Sequence, residues 1–149
     1  MVEITKYRIE LVKESSSIYN ITDDKISTSK NVYEIIKDKF NIGALTEEMF
    51  GIVCLNTKNK IIGVFEVSYG DLDSTIVHPR EVFKRAMLVN SSAIILFHNH
   101  PSGEVEPSDG DKHITKNLIE AGKILNMRIL DHIIACEDSF FSFKERGYC

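Results

Sequence analysis

One stretch carries most of the chemistry in this chain: His98-Asn99-His100-Pro101-Ser102-Gly103-Glu104-Val105-Glu106-Pro107-Ser108-Asp109-Gly110-Asp111. Residues two apart on an extended chain point the same way, so His98 and His100 can aim both imidazoles at one point. Pro101 and Gly103 then turn the chain. Ser108 is a good N-cap, and Asp111 three residues later completes a capping-box-like helix start. The helix that follows places Ile114, Leu118, Ala121 and Leu125 on one side, and Asp111 shares that inward side at the first turn. Two imidazole nitrogens and one carboxylate oxygen make three ligands for tetrahedral Zn²⁺, with the fourth position open to water. That is the layout of a catalytic zinc site, not a closed structural one. Taken singly, the parts have plainer readings: a surface His pair, and an acid placed against a helix dipole. Their conjunction is what points to a metal.

The elements that position these residues read as follows. A buried strand at 92–97 delivers the histidines, and the helix at 108–125 delivers Asp111. Continuous apolar runs at 49–55 and 61–67 flank Asn56-Thr57-Lys58-Asn59, which predicts a β-hairpin. Residues 70–73 form a turn and 75–77 a short strand. His78-Pro79-Arg80-Glu81 opens a helix with Val82, Phe83, Ala86 and Met87 on one side. Residues 129–136 and 139–143 supply two more strands. Upstream, Tyr7, Ile9 and Leu11 alternate with polar residues, the pattern of a strand at 5–12. A polar loop then leads to a helix holding Val32, Ile35, Ile36 and Phe40, capped by Asn31 with Glu34 and closed at Asn41-Ile42-Gly43. Hairpins mixed with helices predict an α+β fold.

Composition narrows the function classes. The chain has 149 residues, 43% hydrophobic and 27% charged, with a net charge of -4; this fits one globular domain. No apolar run approaches the roughly 18 residues of a membrane span. The acidic balance gives no broad basic face for nucleic acid. Charges interrupt the N-terminal MVEITKYRIELVKE, unlike a secretion signal. Three cysteines, Cys54, Cys136 and Cys149, contain no CxxC pair, so zinc here must rest on histidine and carboxylate. Free thiols suit a reducing cytoplasm.

The spacing His98-x-His100, seven residues, Ser108-x-x-Asp111 resembles the JAMM motif of JAB/MPN-domain metalloproteases. The fuller string HNHPSG…PS..D, with HPRE upstream and LDHII downstream, resembles the RadC-type branch. The likeness covers about residues 45–147. It implies a mixed β-sheet flanked by helices, similar to cytidine deaminases, whose HxE…PCxxC zinc site this chain lacks. It also implies an organisation in which 1–44 form an N-terminal strand and helix packed on a catalytic domain at 45–149. The helix-hairpin-helix-like region of longer members is not expected.

For the site, the resemblance implies zinc on His98, His100 and Asp111, and a glutamate that activates water. Glu48 in Glu48-Met49-Phe50-Gly51-Ile52-Val53 fits the family pattern; Glu47 is its neighbour and Glu66 on the next strand its rival. The Ser108 hydroxyl would steady the developing oxyanion. The implied reaction is hydrolysis of a peptide or isopeptide bond in a peptide or protein substrate. A DNA-repair or DNA-processing role, after which the branch is named, is the alternative, as is a non-catalytic scaffold. The charge of -4 weighs against the first and the intact ligand positions against the second. No membrane partner is expected, and oligomeric state leaves no trace in the sequence.

Other residues allow two readings each. His132 is either a partner to a metal ligand or a buried, hydrogen-bonded histidine. His113 faces elsewhere on its helix, and His78 is a helix-start residue. Arg80, Lys84 and Arg85 are either a basic patch or a solvated helix face. Phe140, Phe141 and Phe143 are either sheet core or a groove for a partner.

Overall fold

A computed structural model describes residues 1–20, 25–70 and 77–149. Helix α1 spans Ser29–Lys39, followed by a 3₁₀ turn at Ile42–Ala44. Strands β1 (Met49–Leu55) and β2 (Ile61–Tyr69) form the hairpin. Helix α2 (Pro79–Leu88), strand β3 (Ala93–Asn99), helix α3 (Asp109–Ile124), and strands β4 (Arg128–Ala135) and β5 (Phe140–Ser142) complete the order. The five strands make one sheet in the order β2-β1-β3-β4-β5. All pairs are antiparallel except β3 with β4, whose crossover is α3. The fold is therefore α+β with a mixed sheet, as the sequence pattern implies.

Strand parity divides the core into two layers. Odd positions Met49, Val53, Leu55, Ala93, Ile95, Phe97, Ile133 and Ala135 meet Val32, Tyr33 and Ile36 of α1. Even positions Phe50, Ile52, Cys54, Ile94 and Leu96 meet Val82, Phe83 and Ala86 of α2 and Leu118 of α3. Both central strands are buried along their whole length, which is why they read as unbroken apolar runs. Since β3 alternates, His98 falls on the α3 face and Asn99 on the α1 face.

Helix α1 is an integral layer. Val32, Ile35 and Ile36 are buried beneath it, at roughly 1.5–3 kcal/mol for each such side chain. Its N-cap is Thr28, whose hydroxyl accepts from Asn31 N–H, and not Asn31 itself. Asn41 takes a left-handed conformation (φ 49°) that ends the helical run.

Three further expectations change. Residues 5–12 form no strand: they are exposed, have no regular secondary structure and pair with no edge of the sheet, and only Ile9 lines a groove with residues of α2 and α3. The histidine-bearing strand β3 continues two residues beyond 97, so His98 and Asn99 lie within it. The buried stripe of α3 runs through Asp111, Thr115, Leu118 and Gly122, while Leu125 is exposed. A polar Thr115 hides this stripe from an apolar-period reading. The turn expected at 70–73, past Gly70, and the strand expected at 75–77, before Val77, lie outside the described residues.

Candidate metal centre

The strand end and the helix start meet as the periodicities require. His98 and Asp111 are fully buried and His100 is partly so. His98 Nε2 lies 3.0 Å from His100 Nε2, 3.3 Å from Asp111 Oδ1, and His100 Nε2 lies 3.4 Å from Asp111 Oδ2. Ligand bonds of about 2.0–2.1 Å in a tetrahedron place donor atoms about 3.3 Å apart, so these separations match a zinc-sized ion. The three residues form a group whose donor atoms all lie within 4.8 Å of one another.

Asp111 is held by a complete capping box. Ser108 N–H donates to Asp111 Oδ2 (2.8 Å) and Asp111 N–H donates to Ser108 Oγ (3.1 Å). Its other oxygen, Oδ1, is buried and makes no hydrogen bond. An orphaned carboxylate oxygen at such a depth is costly unless a cation satisfies it. Burial pushes the Asp111 carboxyl up, but the imidazoles of His100 and His98 outweigh it and hold the group far below the usual carboxylate range. For His100, burial lowers the imidazole. The Asp111 side chain, the Glu104 carbonyl and the charges of Asp111 and Glu48 outweigh this and give a net upward shift. Two imidazole nitrogens 3.0 Å apart beside a carboxylate cannot turn bare lone pairs on one another; protons or a metal cation must lie among them. The donor set suits the metal.

The remaining residues fall into place around this centre. Glu48 stands immediately before β1, half-buried, close enough for its charge to raise the His100 imidazole. Phe50 pairs with His98 across the ladder and stacks over its ring. Glu66 is exposed and pairs with Gly51, which faces Phe97 and hence the α1 layer. Thus the charge of Glu48 reaches the histidines, while Glu66 lies on the opposite, α1 face of the sheet. Ser108 lies at the cap, with its hydroxyl oxygen accepting from Asp111 N–H. His113 is exposed beside Asn117, and His78 is the N-cap of α2 without a side-chain cap bond. Lys84 and Arg85 both pair with the one carboxylate of Glu81, at 2.7 and 2.9 Å, along the helix face. Phe143 is fully buried and Phe141 nearly so, both in the sheet core.

Two residues escaped the sequence reading. Asn99, buried between the two histidines in sequence, accepts from Met49 N–H (2.6 Å) and donates to the Glu47 carbonyl (3.0 Å). It clamps the backbone on both sides of Glu48. Thr115 links helix α3 to His132, whose ring also reaches His98. Their signals were positional: Asn99 lies inside the HxH, and Thr115 one helical turn after Asp111.

The fold and site together define an α+β protein with a mixed sheet and a three-residue His-His-Asp cluster able to hold one metal ion. The chain belongs to the RadC-like JAB domain family, whose model matches residues 26–148. It is similar to a UPF0758 protein of Alkaliphilus oremlandii, 45% identical over 137 residues, 92% of this chain and 58% of the relative. A UPF0758 protein of Methanosarcina barkeri is 39% identical over 139 residues, 93% of this chain and 60% of that relative. One of Desulfitobacterium hafniense is 37% identical over 158 aligned positions, 97% of this chain and 69% of that relative. The chain spans about six tenths of the length of the first two. No described helix is long and apolar enough to cross a membrane.

Proposed function

We propose that the chain is a zinc-dependent hydrolase of peptide or isopeptide bonds, with His98, His100 and Asp111 as the metal ligands. The observation that carries this reading is the buried, hydrogen-bond-free Oδ1 of Asp111 beside His98 Nε2, with His100 Nε2 against the other oxygen of the same carboxylate. Zinc held there would supply Lewis acidity and bring the pKa of a bound water toward 7. Glu48 accepts the proton of the attacking water on its carboxylate and returns it to the leaving amine. The Ser108 hydroxyl accepts its cap bond through oxygen. Its own hydrogen is free to donate to the substrate carbonyl oxygen as charge gathers there. Phe50, over the His98 ring, keeps water from that side. The partner is then a peptide or protein; with a net charge of -4, nucleic acid finds no broad basic face. Three free cysteines support a reducing compartment for the enzyme.

The test has two parts. Metal analysis of protein purified without added metal should find about one zinc per chain, and His98→Ala or His100→Ala should abolish it. Equal, negligible zinc in all three proteins would sink the reading. Glu48→Gln should keep the zinc and lose about 10²–10⁴-fold of the turnover, measured on a proteome-derived peptide library by mass spectrometry. Full activity in that variant would overturn the assignment of proton transfer to Glu48.

A further inference from the structure

We infer that Thr115 and His132 form a hydrogen-bond relay that sets the tautomer of His98 and turns its Nε2 lone pair into the metal site. This rests on the metal reading above but adds residues that the reading does not use. The relay begins at Thr115, whose hydroxyl donates to the Asp111 carbonyl one turn back, at 2.6 Å. That hydrogen is then spent. The second contact of the same oxygen, 2.6 Å from His132 Nδ1, can only be accepted from an Nδ1–H. A neutral imidazole carries one hydrogen, so His132 Nε2 is left as an acceptor. It lies 2.8 Å from His98 Nδ1, which must donate. His98 therefore keeps its lone pair on Nε2, the atom that faces Asp111 and His100.

His100 follows the same logic by a separate route. Its Nδ1 lies 2.7 Å from the Glu104 carbonyl, which can only accept, so its Nε2 is also bare. Both ligands are thus fixed from behind. For His98 the fixing group is itself a histidine. It is fully buried, stacked on Phe143 (centroids 4.7 Å, interplanar 18°) and edge-on to Phe50 (5.6 Å, 70°). No water can replace it. The relay also ties three elements together: β3 through His98, β4 through His132 and α3 through Thr115. One helix therefore supplies both a ligand, Asp111, and the group that orients the partner of another ligand.

Zinc titration against a chromogenic chelator tests this. Loss of such an orienting partner typically weakens metal binding about 10–100-fold. His132→Leu should do so, and Thr115→Val should weaken binding in the same direction. His132→Gln, which restores an acceptor toward His98 Nδ1, should recover most of the affinity. ¹⁵N-correlated NMR of the zinc-loaded wild type should show the His132 hydrogen on Nδ1, whatever the folding of the variants. Unchanged zinc affinity in His132→Leu, or the hydrogen on His132 Nε2, overturns the relay while leaving the metal site intact. A wild type that takes up no zinc overturns both.

Discussion

At the scale of single residues, the site is a set of polar groups with defined partners, apart from the inward oxygen of Asp111. Asn99 makes the clearest prediction. Its amide reproduces a peptide unit, pairing with Met49 N–H and the Glu47 carbonyl, and so holds the backbone that carries Glu48. Asn99→Leu should leave zinc content unchanged, because no ligand is touched. It should lower turnover at least tenfold, and cost about 1–3 kcal/mol from the unsatisfied Met49 N–H. Metal analysis beside denaturant unfolding separates these effects; loss of zinc would show that the clamp serves the ligands instead. His98, His100 and Asp111 were legible in the sequence because their chemistry is local: a two-residue spacing and a capped helix start. Glu48 came from the family pattern alone, since nothing in its own neighbourhood ranks it above Glu66. Asn99 and Thr115 were not legible, because a buried polar residue has no periodicity of its own. Its worth lies in partners distant in sequence.

At the scale of elements, hydrophobic period and capping chemistry located the helices and strands of the second half to within a few residues. What they missed has physical causes. The cap of α1 moved to Thr28 because its hydroxyl reaches Asn31 N–H. The inward stripe of α3 rotated toward Thr115 and Gly122 because close approach mattered more than hydrophobicity. A Cβ on Gly122 would sit 2.3 Å from the Met127 carbonyl oxygen, and Met127 N–H donates to the Gly122 carbonyl at 2.8 Å. Gly122→Ala must therefore push α3 from the start of β4, at a cost of about 1–3 kcal/mol despite the better helix propensity of alanine. Thermal unfolding checks this. A variant as stable as the wild type would show that the α3–β4 turn yields freely.

At the scale of the whole molecule, the central strands lie between two helical layers, and the sheet interior should impose a pH limit. Cys54 lies in β1 with no exposure, and burial pushes its thiol from the usual 9.0 up to about 11. The folded state thus favours the neutral thiol. The resulting stability is complete below pH 9 and fades as pH rises toward 11, a loss on the order of 2–3 kcal/mol. Denaturant unfolding of wild type and Cys54→Ala should show a stability gap that narrows by about 2 kcal/mol between pH 8 and 10.5. A constant gap would refute the buried-thiol account. The residues at 1–20 contribute no buried side chain, and their alternating pattern was the sequence feature that the tertiary structure did not use.

The capping box at the head of α3 carries a last consequence. Because Ser108 N–H already pins one oxygen of Asp111, the other points inward with its rotamer chosen beforehand. An ion arriving at Oδ1 would order no side chain there. The conformational entropy that an unrestrained acidic side chain forfeits on capture, up to about 1 kcal/mol, is here surrendered once, when the helix forms. A longer acid at this position would keep the charge and lose that preorganisation.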